Sequence, residues 1–490
     1  MLFNSYEFLL VFLPITLILF FAIARRDGAA ARLFLLIASF AFYAWWSFEY
    51  GLLMVATIVV NFAFGREIQR RQEGGQASAW SLLVISVAAN LSLLGYFKYR
   101  NFFIENLTAA LGTEWVLAPL VLPLAISFHT FQQIAYLVDS YRCKVKQPRL
   151  LSYALFVLFF PQLIAGPIVH HYQLLPQLQS SRFLRFDPES FAKGVSYFIL
   201  GLAKKVLIAD SLSAIADPIF NGAIAAPPTL TEAAAGTLAY TFGLYFDFSG
   251  YSDMAVGLAL MFGIRLPFNF GSPYQATSII DFWRRWHITL SNWLRDYLYI
   301  PLGGSRHGST RRYANLLLTM LLGGLWHGAA WTFVVWGLLH GAFLVINHGW
   351  NGLTARLKSR GRDVRLPAVV GWLLTFCAVS IAWIFFRSPS FEHARAMIEG
   401  LFGLNGLHSD RLADVVGVGK TLMLIFVAAI ALLLPNTQQL IEGERRGSPL
   451  RSVLGLKWRP TMAWSVALAF LLFLSITQMS AVREFVYFQF

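Results

Sequence analysis

Residues 320–330 read Met-Leu-Leu-Gly-Gly-Leu-Trp-His-Gly-Ala-Ala, inside an unbroken apolar run from 313 to 346. Basic clusters flank that run at 306–312 and 356–365. Clusters of this kind stay on the cytoplasmic side of a membrane, so the run has to go in and come back. As helix, its 34 residues reach only about 51 Å, whereas two full crossings need roughly 60 Å. The return is therefore expected near residue 330, deep in or across the membrane, with His327 close to it. Gly323, Gly324 and Gly328 surround that histidine and permit close backbone or ligand approach. An imidazole held there can take and return a proton near neutral pH. The competing reading is a histidine hydrogen-bonded within a helix hairpin.

Composition supports a membrane setting. Of the 490 residues, 57% are hydrophobic and only 13% charged, against about 25% charged in soluble domains. A disordered chain, a nucleic-acid-binding domain and an ordinary soluble enzyme are all excluded. The formal charge of +14 reads as cytoplasmic loops facing anionic lipid. Two cysteines, Cys143 and Cys377, leave no room for a disulfide framework or a cysteine-rich metal site.

Further apolar runs cover 6–24, 33–48, 50–64, 80–97, 115–137, 151–169, 191–209, 233–245, 254–264, 369–386, 421–434 and 462–476. Several fall short of the ~20 residues of a straight span. Some are expected to be tilted spans and others re-entrant pieces buried in protein. Residues 6–24 lack a basic leader and a small-residue cleavage site, so they read as a retained first span. Arg25, Arg26 and Arg32 in the first loop, a bare second turn at Glu49, and Arg66, Arg70 and Arg71 in the third loop place the N-terminus outside. The segments 142–149, 356–365 and 445–459 read as cytoplasmic, and 387–420, with balanced charge, as external. Residues 1–490 read as a single integral membrane domain of an all-α polytopic protein.

Ionisable residues at membrane depth call for an explanation. Asp247 and Asp253 lie in Tyr-Phe-Asp-Phe-Ser-Gly-Tyr-Ser-Asp, 245–253, where Gly250 with Ser249 and Ser252 is able to break a helix. They line an internal tunnel, or they are buried carboxylates paired with arginines that pin helices together. In 280–297, Trp286, Leu290, Trp293 and Tyr297 fall on one helical face, as in an amphipathic interfacial helix. His287 would then stand between Trp283 and Ser291, as a functional group or as a hydrogen-bonded interface residue. Arg284, Arg285, Arg306, Arg311 and Arg312 are suited to the phosphates of a coenzyme, although retention of positive charge inside already explains their sign. Nucleotide-binding, serine-hydrolase, zinc-protease and calcium-loop motifs are absent. The adjacent His170 and His171 have no cysteine or carboxylate near them in sequence and do not read as a metal site.

The motifs Phe-Tyr-Ala-Trp-Trp (42–46), Gly-Tyr-Phe-Lys-Tyr (95–99), Phe-Pro-Gln-Leu-Ile-Ala-Gly-Pro (160–167) and Leu-Tyr-Phe-Asp-Phe-Ser-Gly-Tyr-Ser-Asp-Met (244–254) continue with Phe-Trp-Arg-Arg-Trp-His-Ile-Thr-Leu-Ser (282–291), Trp-Leu-Arg-Asp-Tyr-Leu-Tyr-Ile (293–300) and Leu-Leu-Gly-Gly-Leu-Trp-His-Gly (321–328). Together they resemble the membrane-bound O-acyltransferase family, in particular its bacterial alginate O-acetyltransferase membrane type. The resemblance runs along essentially the whole chain.

It implies a ring of tilted transmembrane and re-entrant helices around a central tunnel, in the bacterial inner membrane. It places His327 at the family's catalytic histidine and His287 at its second, more variable polar position. Asn292 and Trp326 become candidates for positioning the reacting group or stabilising an oxyanion, and Arg284, Arg285 and Arg306 for holding donor phosphates. The implied reaction moves an acyl group, acetyl in the first instance, from a cytoplasmic thioester toward a hydroxyl outside. The donor would be acetyl-CoA or an acylated carrier protein. The acceptor would be a polysaccharide such as alginate, reached directly or through a periplasmic acetyltransferase partner. No bound cofactor or metal is implied. Transfer of D-alanyl or another acyl group to a cell-envelope polymer, a transporter, and a scaffold of an export machine are the rival readings.

Overall fold

The computed structural model describes residues 1–113, 115, 117–118, 120–145, 149–408, 417–443, 457–479 and 485. The basic segment expected to be cytoplasmic at 445–459 lies almost wholly outside them. Among the described residues every regular element is helical, and five helices are long and apolar enough to cross a membrane. The chain forms two compact units, one chiefly Met1–Leu202 with Tyr251–Phe268, the other chiefly Ala203–Gly250 with Asn269–Gln478.

The first unit begins with a π-helical turn, Glu7–Phe12, that runs into α1 (Leu13–Ala24). There follow α2 (Gly28–Ala44), α3 (Phe48–Glu73), α4 (Ser78–Leu94), α5 (Arg100–Leu111), α6 (Ile126–Tyr141), α7 (Leu150–Leu158), α8 (Phe160–Leu163), α9 (His171–Gln179) and α10 (Pro188–Ala203). Polar residues mark the starts. The Asp27 carboxylate accepts the Ala29 N–H at 2.7 Å and the Ser47 hydroxyl accepts the Tyr50 N–H at 3.3 Å, satisfying otherwise orphaned donors. In the three spans of this unit only 22–28% of the most apolar window is buried inside the protein. Residues such as Leu10, Ile18, Val60 and Ile85 turn outward, as a lipid-facing surface requires.

Where α3, α4 and α6 meet, Asn61 and Asn90 exchange amide hydrogen bonds of 3.1 and 2.7 Å. Asn61 also bonds Gln133, whose Nε2 donates to Thr57 Oγ1 at 3.2 Å. In lipid, amide pairs of this kind hold helices together.

The second unit holds α11 (Asp210–Gly222), most of α12 (Leu230–Met261), α13 (Ile279–Arg285), α14 (Ile288–Leu294), α15 (Gly308–His327), α16 (Trp331–Ser359), α17 (Ala368–Arg387), α18 (Phe391–Leu401), α19 (Gly417–Leu433), α20 (Thr437–Glu442) and α21 (Met462–Gln478). The hairpin inferred from loop charge is present as α15 and α16, with its turn at 328–330. The two helices cross in backbone contact. A Cβ on Gly324 would lie 2.3 Å from the Phe333 carbonyl oxygen, and one on Gly337 2.4 Å from that of Met320.

Several expectations are corrected. Each arm of the hairpin is longer than its apolar run, at 20 and 29 residues. Arg66, Arg70 and Arg71 likewise belong to α3 and not to a loop. Hydropathy marks the lipid-contacting part of a helix, and arginine and lysine are good helix formers beyond it. Among the described residues of the run 115–137, α-helix begins at Ile126, after Pro123 and a left-handed Ala125.

Gly250 does not break its helix, since α12 runs 32 residues without interruption. A lone glycine costs only roughly 1 kcal/mol in a helix, and Gly250 is buried in the middle of a long one. Asp247 proves to be a paired carboxylate, but with a lysine. Lys205 Nζ sits 2.7 Å from Asp247 and 2.9 Å from Asp210, all on this unit. In the first unit the fold gives His171 the carboxylate missing near it in sequence, Asp139, at 3.5 Å.

Candidate functional site

The segment read as one amphipathic helix is two. α13 stops at Arg285, and His287 takes a left-handed conformation at φ 40°, ψ 54° before α14 begins. Left-handed backbone is rare for a residue with a Cβ and survives only where surroundings impose it. Here the chain at 269–271 does so. The Gly271 N–H donates to the Arg285 carbonyl and the Ile288 N–H to the Asn269 carbonyl, both at 2.9 Å. The Thr289 hydroxyl donates to Asn269 Oδ1 at 2.6 Å. The break turns the His287 ring onto Phe248, with centroids 4.8 Å apart and planes at 85°. His287 is 1% exposed.

His327 is the last residue of α15. Gly328 follows in extended conformation, and a Cβ there would meet the Phe333 ring at 2.1 Å. The turn therefore needs glycine, and it presents His327 to a box of rings. Centroids lie 4.9 Å away for Trp326, 5.0 Å for Trp336 and 5.2 Å for Phe386, all steeply inclined. His327 is 5% exposed.

Trp326 links the two histidines. Its ring is 6.3 Å from that of His287 and 4.9 Å from that of His327, both within the range of direct aromatic packing. Residues forty apart in sequence thus share one aromatic wall. Asn292 is half-buried on α14 and makes no side-chain hydrogen bond among the described residues. Arg285 is committed to Asp281 at 2.9 Å. Arg284 and Arg306 are exposed. Arg312 lies 4.8 Å from the Tyr313 ring centroid, and Arg284 and Arg312, from different helices, both come within electrostatic range of His348 on α16. Arg284 and Arg312 are therefore gathered around His348. Among the described residues no three of His, Cys, Asp and Glu are grouped to hold a metal.

Sequence reasoning missed the rest of the box. Trp336 and His340 on α16 are buried, their rings 4.8 Å apart, and His340 Nδ1 accepts from Trp283 Nε1 at 3.3 Å. Trp383 on α17 stacks on Trp336 at 5.6 Å and 20°. A signal existed. Phe333, Trp336, His340 and Leu344 are spaced by three or four, so they share a helix face, but inside a uniformly apolar run that face does not stand out.

Comparison with known proteins gives the family. Residues 74–387 match the model of the membrane-bound O-acyltransferase family. A peptidoglycan O-acetyltransferase of Helicobacter pylori is 42% identical over 434 residues, covering 83% of this chain and 81% of that protein. A probable alginate O-acetylase of Pseudomonas aeruginosa is 43% identical over 438 residues, covering 88% and 81%. A teichoic acid D-alanyltransferase of Bacillus subtilis is 28% identical over 286 residues, covering 55% and 70%. With His327 and His287 packed on one tryptophan in an all-α, multi-pass membrane protein, the chain belongs to the membrane-bound O-acyltransferase family and is an O-acyltransferase.

Proposed function

We propose that the chain moves an acetyl group from a cytoplasmic thioester to the hydroxyl of a cell-envelope polysaccharide, directly or through a periplasmic acetyltransferase partner. The observation that carries this is the shared wall of His327, Trp326 and His287, buried among rings that exclude bulk water. Water exclusion matters because thioester hydrolysis competes with transfer. His327 removes the proton of the acceptor hydroxyl as its oxygen bonds to the carbonyl carbon. The tetrahedral intermediate then expels the thiolate, which takes that proton back from His327. His287 orients the reacting group, with Trp326 fixing both rings. Asn292, whose side chain is uncommitted among the described residues, is available to a bound substrate.

Acetyl-CoA is the donor in this reading, with its phosphates in the basic region of Arg284, Arg285 and Arg306 at the cytoplasmic mouth of a tunnel. Residues 1–490 work as one membrane domain of the bacterial inner membrane, N-terminus outside. The O-acetylating relatives, at 42–43% identity over more than four fifths of the chain, favour acetyl over D-alanyl, whose relative matches 28% over 55%. Family membership decides against the transporter and the export scaffold.

The test is purified protein in lipid discs with acetyl-labelled CoA and candidate glycans or periplasmic acceptors. Wild type should release CoA and label the acceptor, and His327→Ala should do neither while inserting normally. Wild-type rates in His327→Ala would overturn the assignment.

A further inference from the structure

The reaction as proposed makes no use of His340, although it is the most deeply buried histidine of the site, with no exposed surface. Its Nδ1 accepts the Trp283 indole N–H at 3.3 Å. An imidazole that accepts at Nδ1 is neutral there and carries its proton on Nε2, so Trp283 makes His340 a donor. That Nε2 has no hydrogen-bond partner among the described residues. Nor does the Nε1–H of Trp336, one helical turn earlier on α16. The Trp336 ring lies 4.8 Å from that of His340 and 5.0 Å from that of His327. Buried donors are almost always paired, because an orphan gives up its bond to water for nothing. Here two stand in one aromatic box beside the proposed base.

The chemistry of the pair limits its ligand. An indole N–H only donates, and His340 Nε2 is held as a donor by Trp283. The ligand atom must therefore be an acceptor, which excludes a hydroxyl hydrogen. The wall of Phe386, Trp383 and Trp336 is unsuited to a hydrated anion. An uncharged carbonyl oxygen that becomes negative only during reaction fits both demands.

We propose that Trp336 Nε1–H and His340 Nε2–H bind the carbonyl oxygen of the acyl donor, with Trp283 a positioning residue that keeps His340 in its donor form. The inference rests on the acyl-transfer reading above. As the acceptor oxygen bonds to the carbonyl carbon, the C=O π pair moves onto oxygen and is held by the two N–H groups. It returns to re-form C=O when the carbon–sulfur bond breaks. Neither N–H gives up its proton, since proton transfer stays with His327.

The experiment uses the full-length protein in lipid discs with acetyl-CoA. His340→Phe keeps a flat ring and removes the donor. It should lower kcat about 10²–10³-fold, the effect of losing one oxyanion donor, and leave KM for acetyl-CoA within about threefold, because the bond strengthens in the transition state. His340→Gln restores an N–H and should recover about tenfold or more of that loss. Trp336→Phe should independently lower kcat at least about tenfold and carries the test if His340→Phe fails to fold. Wild-type kcat in His340→Phe, or in Trp336→Phe, overturns the proposal. So does equal loss in His340→Phe and His340→Gln, which would mark a merely structural histidine. These outcomes presuppose wild-type transfer that His327→Ala abolishes. If wild type transfers no acetyl, the parent reading fails and this one with it.

Discussion

A methyl group on Gly337, a residue with no side chain to offer the reaction, should cripple this enzyme. In the native hairpin a Cβ at 337 would stand 2.4 Å from the Met320 carbonyl oxygen and 3.1 Å from its carbon, whereas ordinary contact begins at 3.4 Å. Both are backbone atoms, so no side chain can swing aside, and α15 must retreat from α16 by about 1 Å. Overpacking of that kind costs ~1–3 kcal/mol of stability. Because α15 ends at His327 and α16 carries Trp336, the same shift enters the ring box. A misplacement near 1 Å costs about 10² in rate. Gly337→Ala should therefore retain less than about a tenth of wild-type kcat while still inserting and eluting as folded protein. Gly349→Ala, on the same helix with nothing within 4 Å of its Cβ, is the matched control and should be neutral or stabilising by up to ~1 kcal/mol. Rates come from CoA release, and stability from thermal melting in lipid discs. Wild-type kcat and melting in Gly337→Ala would refute the claim that backbone contact between these helices sets the position of His327.

Three further outcomes are expected. His287→Ala and His287→Gly should lose similar activity, but the glycine variant should be more stable by about 1 kcal/mol, because only alanine retains the left-handed strain; equal melting would remove the strain. Asp247→Asn should destabilise by ~1–3 kcal/mol, the cost of an incompletely satisfied buried group, because Asp210 still faces Lys205 at 2.9 Å, and Lys205→Met with Asp247→Leu should recover part of it. A melt unchanged in Asp247→Asn would show that the pair bears no weight. Arg284→Gln should raise KM for acetyl-CoA several-fold, more at low salt than at high, with kcat unchanged, and an unaltered KM would remove Arg284 from donor binding.

The hairpin, its turn and the aromatic character of the site were legible because each follows from a one-dimensional signal. Charge on both sides of an apolar run fixes its return, and glycines near the return announce close approach. The helix ends were not legible from hydropathy, because a bilayer selects apolar residues only where the helix meets lipid, and α3, α15 and α16 continue past it. The break at His287 was hidden for a different reason. Trp286, Leu290, Trp293 and Tyr297 keep helical spacing across it, and the groups that impose it, Asn269 and Gly271, lie well upstream. His340 was hidden because its meaning depends on Trp283, fifty-seven residues away.

Both imidazoles on the Trp326 wall stand where a helix stops, and this bears on how the site keeps its shape. Within a helix a side chain leaves in a direction fixed by the 3.6-residue period, and two such chains meet only if two whole helices are placed to suit. A helix end releases that constraint, and position is then set by what grips the chain on either side. At His287 the grip is a pair of 2.9 Å backbone hydrogen bonds to 269–271. At His327 it is the glycine-mediated crossing of α15 on α16 and the Phe333 ring seated over Gly328. These are short contacts between backbone atoms or onto them, which yield far less than side-chain packing does. A site so built should tolerate changes among its lipid-facing residues, such as Ile346 or Leu318, yet fail on the addition of one methyl group at Gly324, Gly328 or Gly337. The geometry needed for transfer is thus held by small residues that contribute no chemistry of their own.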